Sequence, residues 1–207
     1  MAFNGFTPAD FAVFSLPGFE ERMEALKQVV RPKLEVIGAQ LAPRLSEAVG
    51  VPMYAHVAKH ARRTVNPPKD TWVAWSANAR GYKAHPHFQV GLWGTHVFAQ
   101  FAMIYEAPQK AHFARLLRKN LKGLQLPGDF VWSGDHTQPE AVRHDAMNPK
   151  AFKAFLERLE KVQKAEALCG IHLLADDPLL DDGEALLTRI EEVFQTTMPL
   201  YRMAQAL

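Results

Sequence analysis

The chain reads as an α+β protein in which an antiparallel sheet packs against helices. Three observations predict the class. Apolar residues recur every three or four positions near both ends, and short runs rich in aromatic and β-branched residues fill the middle. Those middle runs also follow one another directly, so the βαβ alternation of a parallel sheet is absent.

Taken in order, Thr7-Pro8-Ala9-Asp10 has the form of an N-cap, a proline at the first helical position and an acid in the first turn. Phe11 and Phe14 follow at helical spacing, and Pro17-Gly18 stops this short helix. Over 20–49, Met23, Leu26, Val30, Leu34, Ile37, Leu41, Leu45 and Val49 predict two or three helical pieces sharing one buried stripe, interrupted at Pro32 and Pro43. Residues 53–58, 71–77, 86–93 and 96–105 predict strands. Between the last two, Gly94-Thr95 suits a type II′ hairpin. That turn sets Trp93 opposite His96, Gly91 opposite Phe98 and Gln89 opposite Gln100. His87, Gln89, Trp93, His96 and Gln100 then share one face, while Phe88, Val90, Leu92, Val97, Ala99, Phe101 and Met103 fill the other. One face is predicted to be core and the other to carry polar function. Trp72 and Trp75 are three apart in a strand and face opposite ways, so alternation puts one of them outside the core. Later segments predict a basic amphipathic helix over 108–122, a short strand at Phe130-Val131-Trp132, a helix starting at Asn148-Pro149, a strand over 165–174 and a closing helix over 184–203. The acid run 176–184 reads as a loop and helix N-terminus, where carboxylates complement the helix dipole. With no internal repeat or linker, one domain over residues 1–207 is expected.

The composition, 48% hydrophobic and 22% charged over 207 residues, is that of a soluble globular chain with a sizeable core. The single cysteine, Cys169, excludes an internal disulfide and lies in an apolar run, where it reads as core and not as a nucleophile. No basic and apolar leader opens the sequence, and no run approaches about eighteen apolar residues. A cytoplasmic protein with no membrane partner is expected.

Charge locates the chemistry. Residues 54–96 hold six Lys or Arg (Lys59, Arg62, Arg63, Lys69, Arg80, Lys83), one acid (Asp70), five of the nine histidines and six aromatics, for a net +5. The remainder of the chain carries a net −3. Such a patch attracts anions, and the expected ligand-binding set is Lys59, His60, Arg62, Arg63, Asn66, Trp72, Arg80, Lys83, His85, His87, Gln89, Trp93 and His96. In this reading the arginines and lysines neutralise phosphate, His85 and His87 donate hydrogen bonds, and Trp93 or Trp72 stacks a planar ring. A solvated basic turn is the plainer account of Arg62-Arg63, and burial on both sides the plainer account of the tryptophans. The spacings of His56 with His60 and of His85 with His87 would suit a metal, but no carboxylate or cysteine accompanies them, so no metal and no cofactor are expected. Adjacent Asp135-His136 reads as a loop-stabilising pair. An acid-base role for His85 or His87 would need an orienting acid, for which Glu106, Asp135 and Asp70 are candidates. Zinc spacing, a phosphate-cradling glycine loop and the G-x-S-x-G elbow are all missing from the sequence.

The runs Ala58-Lys59-His60-Ala61-Arg62-Arg63-Thr64-Val65-Asn66-Pro67-Pro68, Asp70-Thr71-Trp72-Val73-Ala74, Arg80-Gly81-Tyr82-Lys83 and His85-Pro86-His87-Phe88-Gln89 closely resemble the YktB-like family of uncharacterised bacterial proteins. Arg31-Pro32-Lys33-Leu34-Glu35, Gly91-Leu92-Trp93-Gly94 and Asp135-His136-Thr137 extend the resemblance over the whole chain. The resemblance implies a TATA-binding-protein-like fold, a curved antiparallel sheet packed against helices, and carries no activity or catalytic residue. The expected function is binding of an anionic small molecule, a nucleotide or a single nucleic-acid strand on a basic, aromatic sheet face. An enzyme acting on a phosphorylated small molecule and a protein-interaction module are the alternatives. The overall charge of only +2 counts against extended duplex binding.

Overall fold

A computed structural model describes residues 2–206. Helix α1 (Pro8–Ala12) begins as predicted, with the Thr7 main-chain N–H donating to Asp10 Oδ2 at 2.7 Å. Helix α2 (Phe19–Ala25) passes through one π-turn, Leu26–Val30, into α3 (Arg31–Val49). Pro32 marks the start of α3, but Pro43 lies inside it without interrupting it. Buried Leu41 and Leu45 on either side hold that turn against the sheet, and tertiary packing overrides the missing N–H.

Among the described residues the sheet has seven antiparallel strands: β1 (Tyr54–Val57), β2 (Asp70–Ser76), β3 (His87–Trp93), β4 (His96–Met103), β5 (Val131–Ser133), β6 (Val142–Arg143) and β7 (Ala167–Leu174). Their spatial order is β1-β2-β3-β4-β7-β5-β6. The first four form a meander, and β7 then returns to lie beside β4, holding it apart from β5. Helices α4 (Lys110–Asn120), α5 (Pro149–Lys161) and α6 (Gly183–Gln205) complete the fold. The Asn148 and Asp182 side chains cap α5 and α6, as their positions suggest.

The predicted register holds, with Phe88 paired to Phe101, Gln89 to Gln100 and Gly91 to Phe98. The turn type does not. Gly94 lacks the positive φ that a type II′ turn requires. The glycine serves close approach instead, since a Cβ there would come 3.2 Å from that of Phe14. Gly170 in β7 has a similar role, because a Cβ would overlap the Ala99 carbonyl oxygen of neighbouring β4.

On one face Val73, Trp75, Phe88, Val90, Phe101, Cys169 and Ile171 join the helices in the main core. Trp75 donates its indole N–H to the Gly38 carbonyl of α3 at 3.0 Å, and Phe88 stacks on Tyr201 of α6 with centroids 4.9 Å apart. Each such side chain withdrawn from water contributes about 1.5–3 kcal/mol. The opposite face is not the open polar surface that the alternation suggested. His87, Gln89, His96 and Gln100 are all at most 7% exposed. Loops cover them. Tyr82, from 77–86, sets its ring 4.8 Å from His87 and accepts the Trp72 indole N–H at 2.9 Å. His60, from 58–69, meets the Trp72 ring edge-on at 5.5 Å. Trp75 is therefore the core tryptophan, and half-buried Trp72 is covered by loops. Among the described residues no helix is long and apolar enough to cross a membrane.

Candidate functional site

A ladder of hydrogen bonds runs along the loop-covered face. Gln100 Nε2 donates to Gln89 Oε1 at 3.1 Å, Gln89 Nε2 to His87 Nε2 at 2.9 Å, and His87 Nδ1 to the His85 carbonyl at 2.8 Å. His87 is thus neutral with its proton on Nδ1, and burial pushes its pKa down to about 3. Both ring nitrogens are occupied, so the donor role expected of His87 toward a ligand is ruled out. Nor do His85 and His87 converge, because His85 lies in the loop before β3. His56 and His60 are parted as well, one on β1 and the other in a loop at φ 50°. His96 bonds Thr95 Oγ1 through Nδ1 at 2.8 Å and stacks on His172 with centroids 4.1 Å apart. Burial holds this pair down at about 4 for His96 and about 3 for His172.

Beside the ladder is a cleft of about 20 Å³. Trp72, Trp93, Gln89 and Gln100 line it from the meander, together with Asp70; Asp135 and His136 close it from the segment after β5. His136 Nδ1 lies 2.8 Å from each carboxylate oxygen of Glu166, and its main-chain N–H donates to the same group at 2.6 Å. The Tyr105 amide adds a third bond at 3.2 Å. Burial alone would lower the His136 pKa, but the hydrogen bond and charge of Glu166, with Asp70 and Asp135 beyond, raise it. Burial lifts the Asp70 carboxyl to about 6, with His136 and Arg63 pulling the other way.

Asp135 and His136 therefore face one site, contrary to the reading from adjacency. The reversal of the chain accounts for it: Asp135 Oδ1 accepts from Thr137 N at 2.8 Å and Thr137 Oγ1 at 2.7 Å, a tight turn that brings exposed Asp135 and half-buried His136 to one rim. His136 and Glu166 were absent from the expected site. The pairing of an acid with a histidine at 135–136 was the one available signal, since Glu166 arrives from 30 residues away. Asp135, His136 and Glu166 offer donor atoms within 4.8 Å of one another, so a metal, if present, would be held here.

Among the described residues, no lysine or arginine of the basic segment lines this cleft. Lys59, Arg62, Arg63 and Asn66 are exposed on loop 58–69. Burial, assisted by Arg63 and Arg31, pushes His60 beside them down to about 4. Arg80, Lys83 and His85 occupy loop 77–86, where two adjoining grooves of about 480 and 470 Å³ share Asn78, Arg80 and His85. Asn78 organises them. Its Oδ1 accepts from the Arg80 amide at 2.8 Å, which turns Nδ2 toward His85 Nε2 at 2.9 Å, and its carbonyl accepts from His56 Nε2 at 3.0 Å. His85 Nε2 is then an acceptor, so in the neutral ring Nδ1 carries the proton and is free to donate. Lys83 pairs with Glu106 at 3.3 Å. The guanidinium groups of Arg80, Arg62 and Arg63 have no hydrogen-bond or ion-pair partner among the described residues.

A family model described as "Domain of unknown function (DUF1054)" matches residues 6–201, all seven strands included. A UPF0637 protein of Bacillus licheniformis is 50% identical over 202 residues, covering 97% of this chain and 96% of the relative. A UPF0637 protein of Bacillus cytotoxicus is 48% identical over 205 residues, covering 98% and 99%. One from Bacillus velezensis is 48% identical over 202 residues, covering 97% and 96%. The basic loops, the ladder and the cleft all fall within the matched span, and the chain belongs to the DUF1054 family.

Proposed function

We propose that the protein binds a phosphate-bearing or other anionic ligand, and that its seat is the pair of grooves around Arg80 on the rim of the sheet face. The carrying observation is the Arg80 guanidinium, exposed on the wall common to both grooves, beside His85 Nδ1, neither with a hydrogen-bond partner among the described residues. Guanidinium presents a fork that matches phosphate oxygens, and a neutral imidazole N–H adds a third donor. Lys83 contributes less because Glu106 already balances it. Size favours the rim over the sheet face: a nucleotide cannot enter a 20 Å³ cleft, while grooves of 480 and 470 Å³ admit one. Arg62 and Arg63 widen the positive field and steer the ligand in.

Inorganic phosphate, AMP, ATP and a short single-stranded oligonucleotide, titrated at two salt concentrations, test the reading. At least one should bind wild type in a salt-sensitive way. Arg80→Ala/His85→Ala should weaken it by about 1.5 kcal/mol or more, and Arg62→Ala/Arg63→Ala by less. Both variants should keep wild-type stability within about 0.5 kcal/mol. Absence of binding by wild type, or undiminished binding by the folded Arg80/His85 variant, removes the proposal.

A further inference from the structure

The geometry points to a site for one divalent transition-metal ion, of the zinc or manganese class, held by Asp135, His136 and Glu166 at the margin of the cleft beneath the loops, which Asp135 and His136 line and Glu166 adjoins through His136. Three features carry it. The donor set comes first. One imidazole and two carboxylates within 4.8 Å of one another form a nitrogen and oxygen set that suits these borderline ions. Glu166, 2% exposed, is oriented by the Tyr105 and His136 main-chain amides, the outer support that fixes a metal ligand. Asp135 is braced by the amide and hydroxyl of Thr137.

The second feature is Asp70. It is 7% exposed and lines the same cleft, and among the described residues its carboxylate meets no donor but its own amide. A carboxylate so withdrawn from water and held only by its own amide is costly to charge, and a cation beside it would offset that cost. Asp70 and Asp135 line the cleft with His136 and His172, and Glu166 adjoins it through His136. Lys110, Arg158 and Arg63 act on them only at electrostatic range from outside, and none forms an ion pair with Asp70, Asp135 or Glu166. Size is the third feature. About 20 Å³ accommodates one ion or one water molecule, and no organic ligand.

A structural tie between His136 and Glu166 would explain the 2.8 Å contacts alone, but not why Asp70 and Asp135 are turned toward the same small space. In a metal complex the proton between His136 and Glu166 leaves and the ion takes its place, with Asp70 beside the remaining coordination position. The site does not depend on the anion reading, because the ion can be titrated with no phosphate present.

Tag-free, chelator-stripped full-length protein should be titrated calorimetrically with zinc and with manganese, and metal content measured after dialysis. The expected result is one ion per chain. Asp135→Asn/His136→Gln should weaken binding at least about 100-fold and Asp70→Asn about tenfold, with circular dichroism confirming that both remain folded. His112→Gln, which removes an exposed imidazole of α4, should bind as wild type does. No stoichiometric ion, equal affinity in the Asp135/His136 variant, or loss in the His112 variant overturns the site. If the Asp135/His136 variant does not fold, Asp70→Asn decides, with unchanged affinity counting against the site. Phosphate binding measured in EDTA is a separate readout, so either idea can fail without the other.

Discussion

Helices seal one face of the sheet and loops seal the other, yet Trp75 on the first and His87 on the second are equally devoid of exposed surface. What burial demands of them differs. Around Trp75 the core needs shape and area, which many apolar side chains supply in part. Around His87 every polar atom withdrawn from water needs a named partner, and Gln89 and Gln100 supply it in sequence. The helix-covered face is robust to chemistry and sensitive to volume; the loop-covered face is the reverse.

Acid should separate the two faces most strongly. His60, His87, His96 and His172, all on the loop-covered side, are held by burial at about 4, 3, 4 and 3, below the 6.5 of an unfolded chain. Above about 6.5 both states are neutral and the fold keeps its full stability. As pH falls from there toward about 3, the unfolded chain takes up protons that the folded one refuses, and stability is lost by up to about 1.4 kcal/mol per pH unit per histidine. Asp70 opposes this between about 6 and 3.8, because its raised pKa favours protonation in the folded state. The net effect should unfold the protein by about pH 4. Melting temperatures from pH 7 to pH 4 measure it, and hydrogen exchange should open loops 58–69 and 77–86 before α3 and α6. Simultaneous loss of both faces would show that they are one cooperative unit.

Trp75→Ala should come next, at about 3–5 kcal/mol in urea titration, because it leaves a cavity and an unpaired Gly38 carbonyl. Smaller again is Gln89→Leu, close in volume but leaving Gln100 Nε2 and His87 Nε2 without partners, at about 2 kcal/mol. A neutral Gln89→Leu would mean that the ladder adds nothing to closure of the face.

The period-two pattern around Gly94-Thr95 made the register of Gln89 with Gln100 and the division of the two faces legible, because alternation in a hairpin is a local property. The helix starts at Thr7 and Asn148 were legible for the same reason. What covers a face is not local. Nothing at Tyr82 or His60 announces that they will close over His87 and Trp72, so a polar face was read as an open one. The cleft was hidden for a stronger reason: it forms only when Glu166 accepts from Tyr105 and His136, residues 61 and 30 positions away. The basic segment drew attention to its cations, while the carboxylates that line the cleft, Asp70 and Asp135, lie far apart in sequence.

The placement of β7 between β4 and β5 imposes an order on how the chain can be made. The four-strand meander is complete once Met103 has been synthesised, and its hairpins can close in about 1–10 μs. The partner for β4 then lies roughly 70 residues further on, a wait of several seconds at about 5–20 residues per second. During that interval the strand edge carrying Val97 and Phe101 has no hydrogen-bonded neighbour on its outer side. A nascent chain in this state offers an adhesive edge to any similar strand nearby, so yield on expression should depend on synthesis rate and temperature more than on the stability of the finished protein.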